Sequence, residues 1–222
     1  MGQFDFVSPR LPKDPLYSTI KSRLSGGGKF LDLGTCFGQD IRALIADGVP
    51  SEALYATDLK SDLWELGYSL FNDRDLNATT FFAADFLSST NDGVGNAGLK
   101  GLEASVDVIH AASFFHLFDW SGQIVALQRV VALSKIGTLM VGHQVGNERA
   151  VAQQIRHRGT EVFYHDEETW RKIWRDVELE TGTEWEVSVE KVLPREFGLD
   201  PDDWKWMGSD RRILHFSCAR KA

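Results

Sequence analysis

The chain has 222 residues, with 24 basic against 32 acidic side chains and a formal net charge of −8. A surface of that sign repels phosphate backbones and anionic lipid, so neither nucleic acid nor membrane is an expected partner. Cys36 and Cys218 make no disulfide framework, no apolar run approaches the roughly 18 residues of a membrane span, and Met1 to Arg10 lack a signal-peptide core; a soluble, cytoplasmic, globular protein is expected.

Short apolar runs recur along the chain at Lys29 to Leu33, Ala53 to Thr57, Thr79 to Ala84, Ser105 to Ala111 and Gly137 to Val145. They lack strict alternation, as strands buried on both faces of a parallel sheet do. Between them lie helical patterns. Ile41, Leu44 and Ile45 follow the first run. After the fourth, Ser121 is placed to cap a helix carrying Ile124, Leu127, Gln128 and Val131 on one face. Asp166, Glu167 and Glu168 then predict the first turn of a helix lined by Trp170, Ile173, Trp174 and Val177. Strand and helix in alternation predict a doubly wound α/β domain.

Two late strands, Glu184 to Val192 and Arg212 to Ala219, have no helix between them and predict an antiparallel pair at the sheet edge. A connection rich in Pro and Trp, Leu193 to Asp210, joins them, and Ser88 to Gly101 reads as a mobile loop by composition. No internal boundary stands out, so one domain over residues 1–222 is expected.

The chemistry concentrates in KFLDLGTCFGQD, Lys29 to Asp40. A strand runs into Asp32, then into a turn with Gly34 and Gly38, where missing Cβ atoms let the backbone bend and approach a ligand. Asp58 ends the second strand about twenty residues on, the position from which an acid accepts hydrogen bonds from ribose hydroxyls. Both nicotinamide and adenosyl-sulfonium cofactors use such an acid. Two features separate them. Cys36 stands where a nicotinamide fingerprint has its second glycine, and Asp32 inside the loop suits a ligand ammonium group better than two phosphates.

DLGTCFGQD resembles motif I of class I S-adenosylmethionine-dependent methyltransferases, LYATDL their motif II and FFAADF their motif III. VDVIHAASFFHLFDW is similar to their fourth strand and the loop after it. DLKSDLWELGYSLFNDRD and SFFHLFDWSGQ bring the resemblance closest to the small fungal methyltransferases of meroterpenoid and related secondary-metabolite pathways. The resemblance implies a Rossmann-like, seven-stranded, mostly parallel sheet with an antiparallel last strand, and places residues 1–28 as a short N-terminal segment of a substrate lid.

It also implies roles. Asp32, Gly34 and Gly38 hold the methionine end of S-adenosylmethionine, with Cys36 in the loop. Asp58 takes the ribose hydroxyls, Leu59 packs on the adenine, Asp85 and Phe86 meet its edge and face, and Ala111 and Ser113 line the floor near the sulfonium. His116, in the loop after strand four, is the candidate base or substrate orienter, and His143 with Gln144 lies on the same rim on the substrate side. Plainer readings stand beside these: Asp58 as a helix N-cap, Asp85 as turn chemistry, His110 as packed core, NDRD at Asn72 to Asp75 as a solvated helix end, and Trp185, Trp204 and Trp206 as packing on the sheet or on the helix of Trp170 and Trp174. No His/Cys/Asp spacing suggests a metal.

The expected activity is O-methylation of a small, largely apolar metabolite. A carboxylic acid giving a methyl ester is favoured over a phenol, because a carboxylate is already ionised at neutral pH and needs no base. The alternative is a non-methylating protein of the same fold, a cyclase or a regulatory partner. A homodimer is left open.

Overall fold

The computed structural model describes residues 8–88, 94–155, 159–198 and 208–222. Seven strands form one sheet in the order β3-β2-β1-β4-β5-β9-β8, and β6 and β7 form a separate two-stranded sheet. In this numbering β1 is Phe30–Leu33, β2 Leu54–Asp58, β3 Thr80–Ala83, β4 Val106–Ala112, β5 Ser134–Asn147, β6 Val151–Ile155, β7 Thr160–Tyr164, β8 Trp185–Val192 and β9 Arg211–Arg220. The expected seven-stranded, mostly parallel sheet with antiparallel late strands is borne out. By internal contacts the chain groups into two compact units, residues 1–110 with 132–138, and residues 111–131 with 139–222.

In the first unit β1 pairs in parallel with β2 and with β4, and β2 with β3. All four residues of β1 are buried, which is why FLDL shows no alternation. Each fully buried Phe or Leu there contributes about 1.5–3 kcal/mol. Helices α1 (Tyr17–Ser25), α2 (Gln39–Ala46), α3 (Ser61–Phe71) and α4 (Val94–Lys100) belong to this unit. Helix α4 corrects the reading of Ser88 to Gly101 as loop throughout. Its glycines serve close packing rather than freedom: a Cβ on Gly95 would lie 1.9 Å from the Ala83 carbonyl oxygen, and one on Gly98 would lie 2.3 Å from the Phe82 ring.

In the second unit α5 (Trp120–Leu133) starts two residues earlier than expected, and its cap is Asp119 rather than Ser121. Asp119 Oδ1 accepts from the Gly122 N–H at 2.7 Å and from the Ser121 hydroxyl. Helix α6 (Glu167–Thr181) starts at the expected Asp166, which forms a capping box with Thr169, and buries Trp170, Ile173, Trp174 and Val177. The Trp185 ring of β8 packs against Trp174 of α6 with ring centres 4.7 Å apart, as expected of it. Trp204 and Trp206 lie outside the described residues. Strands β5 and β9, and β9 and β8, pair antiparallel. The β6–β7 hairpin was not expected; its Val162 and Tyr164 bury against Val145. No described helix is long and apolar enough to cross a membrane.

Candidate functional site

The turn after β1 is held from three sides. Gly34 and Thr35 both donate their N–H to the Thr57 carbonyl, at 2.9 and 3.1 Å, and Gly38 N–H returns to the Thr35 carbonyl at 2.8 Å. Cys36 N–H donates to Asp58 Oδ2 at 3.0 Å. Gly34, Cys36 and Gly38 all have left-handed φ, +67°, +54° and +70°. At the first and third, glycine adopts this without strain; at Cys36 a side chain is carried in it, at a cost of about 1 kcal/mol. Burial pushes the Cys36 thiol pKa up, against a backbone hydrogen bond from Phe37, and the Asp58 charge adds to the rise.

Asp58 is half-buried at the end of β2, and its Oδ1 accepts from Lys60 N–H at 2.9 Å. The N-cap position of α3 is Lys60, so Asp58 braces the glycine turn instead of capping the helix. Leu59 beside it is 64% exposed, an apolar surface next to a carboxylate.

Asp32 is buried, and each of its oxygens has a partner inside the protein. One oxygen meets His110 Nδ1 at 2.8 Å, the other accepts from the Thr35 hydroxyl at 2.6 Å. Burial alone would lower the His110 pKa, but the hydrogen bond and charge of Asp32, with Asp40 and Asp14 behind it, hold it above the ordinary value. Asp40, at the second position of α2, accepts from Leu11 N–H at 2.8 Å and so fastens the segment before α1. Burial raises its pKa, while His110 pulls the other way.

Asp85 is exposed after β3 and its Oδ1 accepts from Leu87 N–H at 3.0 Å, the turn geometry of the plainer reading; Phe86 is buried. Sequence reasoning missed Arg42, whose guanidinium reaches the Phe37 and Gly38 carbonyls. The signal for it was the NDRD run, whose Asp73 receives the other side of the fork.

Ala111 and Ser113, expected near the sulfonium, and His116, His143 and Gln144, expected on the substrate side, all belong to the second unit. Ala111 is fully buried, and a Cβ on Gly142 would lie 2.2 Å from its carbonyl oxygen. Ser113 is exposed with φ +53°, and its N–H donates to the His143 carbonyl at 2.7 Å. His116 Nδ1 accepts from Val145 N–H at 3.4 Å, and its ring stacks on Tyr164. His143 lies 4.8 Å from the Phe197 ring. Gln144 is fully buried, and neither its amide oxygen nor its nitrogen has a hydrogen-bond partner among the described residues.

Other histidines have structural partners. His165 sits between Gln123 Oε1 at 3.0 Å and Thr169 Oγ1 at 3.1 Å, and His215 faces Glu190. His157 lies outside the described residues. Among the described residues no cluster of His, Cys, Asp or Glu is arranged to hold a metal ion.

The strand order and the acid-braced glycine turn between β1 and β2 define a Rossmann-like methyltransferase fold. No family model matches the chain. O-methyltransferase phiE of a fungal species is 40% identical over 200 residues, covering 89% of this chain and 65% of that protein. The Asnovolin E/Chermesin D methyltransferase nvfJ of Aspergillus novofumigatus is 34% identical over 195 residues, covering 85% of this chain and 68% of that protein. The chain belongs to this family of fungal secondary-metabolite methyltransferases, and spans about two thirds of the length of these relatives. Among solved structures, phosphoethanolamine N-methyltransferase 2 of Haemonchus contortus with S-adenosyl-L-methionine aligns with a TM-score of 0.62 at 12% identity, over 92% of this chain and 53% of that one. The [4+2]-cyclase SpnF aligns with a TM-score of 0.61 at 12% identity, over 93% and 82%.

Proposed function

We propose that the chain binds S-adenosylmethionine at the β1–β2 turn and O-methylates a small, largely apolar metabolite, converting a carboxylate to its methyl ester. One observation carries the cofactor reading. The N–H groups of Gly34, Thr35, Cys36 and Gly38 are all spent on internal acceptors, and an acid rather than an amide faces the turn. A pyrophosphate needs such N–H groups free. A ribose diol instead needs an anchored carboxylate with acceptor capacity left, as Asp58 has, and an adenine needs an apolar neighbour such as Leu59.

S-adenosylmethionine supplies a methyl group already activated on a sulfonium. The protein's work is then to anchor the cofactor through Asp58, exclude water and hold the acceptor oxygen in line with the methyl carbon. His116 supports an acceptor that is already ionised. A neutral ring whose Nδ1 takes the Val145 N–H carries its proton on Nε2, so it donates a hydrogen bond and orients an oxygen rather than removing a proton. Leu117, 43% exposed in the loop after β4, supports an apolar acceptor.

Incubation with methyl-labelled S-adenosylmethionine and matched pairs of apolar carboxylic acids and phenols tests this. The expected product is an ester that releases labelled methanol in alkali. Label found only in alkali-stable ethers overturns the carboxylate assignment, and no transfer to either class overturns O-methylation.

A further inference from the structure

Arg42 is a charged residue in the first turns of α2, yet its side chain is only 9% exposed. Nε and Nη2 grip both oxygens of Asp73, at 2.7 and 2.9 Å, in a bidentate pair. Nη1 donates to the Phe37 carbonyl at 2.5 Å and to the Gly38 carbonyl at 3.3 Å. Trp64, Tyr68 and Phe71 of α3 surround the guanidinium, their ring centres 5.2, 5.5 and 4.7 Å away. Asn72, in the left-handed region at φ +52°, ends α3 and turns Asp73 back toward Arg42.

Two glycines show how closely these parts fit. A Cβ on Gly38 would stand 2.3 Å from the Trp64 ring and 2.7 Å from Arg42 Nη1. One on Gly67 would stand 2.4 Å from the Phe37 carbonyl oxygen. The bare face of Gly38 is therefore filled from within, and the planes of the Phe37–Gly38 and Gly38–Gln39 peptides are set by where Arg42 points its donors.

We propose that Arg42, held by Asp73, is a positioning residue that sets the curve of loop 34–38 for the cofactor; this rests on the function proposed above. It gives the NDRD run a task and makes α3 the template against which the loop is shaped. The pair touches no reacting atom, and acts through the Phe37 and Gly38 carbonyls.

The test separates shaping from simple stability. Arg42→Met and Asp73→Leu each leave a buried charge unpaired, and both lose stability. The double variant replaces the pair with apolar groups of similar size and regains most of that loss. Three quantities are measured on all four proteins: the urea midpoint, the affinity for S-adenosylhomocysteine, and amide exchange of residues 34–38 without ligand. In the double variant we expect a recovered midpoint, exchange at least about tenfold faster in loop 34–38 but unchanged in β1, and affinity still about tenfold weaker, the scale of a lost charge-assisted bond. Unchanged loop exchange, or affinity recovered with stability, overturns the proposal. Failure of the parent chain to bind S-adenosylhomocysteine overturns the function proposed above and the cofactor part of this one, and the exchange comparison then decides whether Arg42 shapes the loop.

Discussion

His110→Leu lowers the folding free energy by about 3–5 kcal/mol, the cost of removing one partner from a buried pair. Leucine fills the space next to Phe30, so the loss is electrostatic: Asp32 keeps only the Thr35 hydroxyl, and Asp40 loses the cation that offsets its burial. Asp32→Asn in the same protein removes the stranded charge and restores part of the loss. The pH dependence has a definite sign. His110 has its pKa raised by Asp32, so its stabilisation is complete below about 6.5 and drains as pH rises through the folded value. Urea midpoints of the parent chain therefore fall on the alkaline side, and His110→Leu flattens that limb. An unchanged midpoint at pH 6, or an identical alkaline limb, contradicts the buried ion pair.

Acid acts on the other unit with the opposite sign. Burial pushes His165 down to about 3, against weaker pulls upward from Asp166 and Thr169. Gln123 fixes the neutral tautomer. Its amide nitrogen donates to the Phe118 and Phe163 carbonyls, so its oxygen faces His165 and accepts from Nε2–H. The unfolded chain takes up this proton near pH 6.5 and the folded chain does not until about 3, so stability falls by about 1.4 kcal/mol for each pH unit in that window, about 5 kcal/mol in all. Between pH 6.5 and 4.5, before most carboxylates titrate, His165→Gln shows a shallower slope by about one proton. Equal slopes for the two proteins contradict a buried neutral His165.

The parts of the fold that were legible in the sequence are those written in neighbouring residues. β1 is a continuous apolar run because both its faces are covered, and Asp166 opens α6 because its partner Thr169 lies three positions on. Asp58 was legible from its spacing after the glycine turn; its bond to Cys36 N–H gives that spacing a physical meaning, and the left-handed φ of Cys36 explains why a glycine ordinarily stands there. Helix α4 was hidden because composition does not distinguish a glycine that frees the chain from one that lets a helix lie against β3. Arg42 was hidden for a different reason. Its partner Asp73 is 31 positions away, and only the turn of α3 at Asn72 brings the two together. Asp32 and His110 are 78 positions apart, joined by the register of β1 against β4, and neither residue type announces which partner it takes.

The central claim is that the acid-braced glycine turn is an S-adenosylmethionine site. Calorimetric titration of the chain with S-adenosylhomocysteine, with NAD as control and Asp58→Ala alongside, tests it most directly. The account predicts micromolar binding of S-adenosylhomocysteine, none of NAD, and a loss of at least about a hundredfold in Asp58→Ala, as two charge-assisted hydrogen bonds to the ribose would give. Absence of binding to the parent chain, or equal affinity in Asp58→Ala, contradicts it.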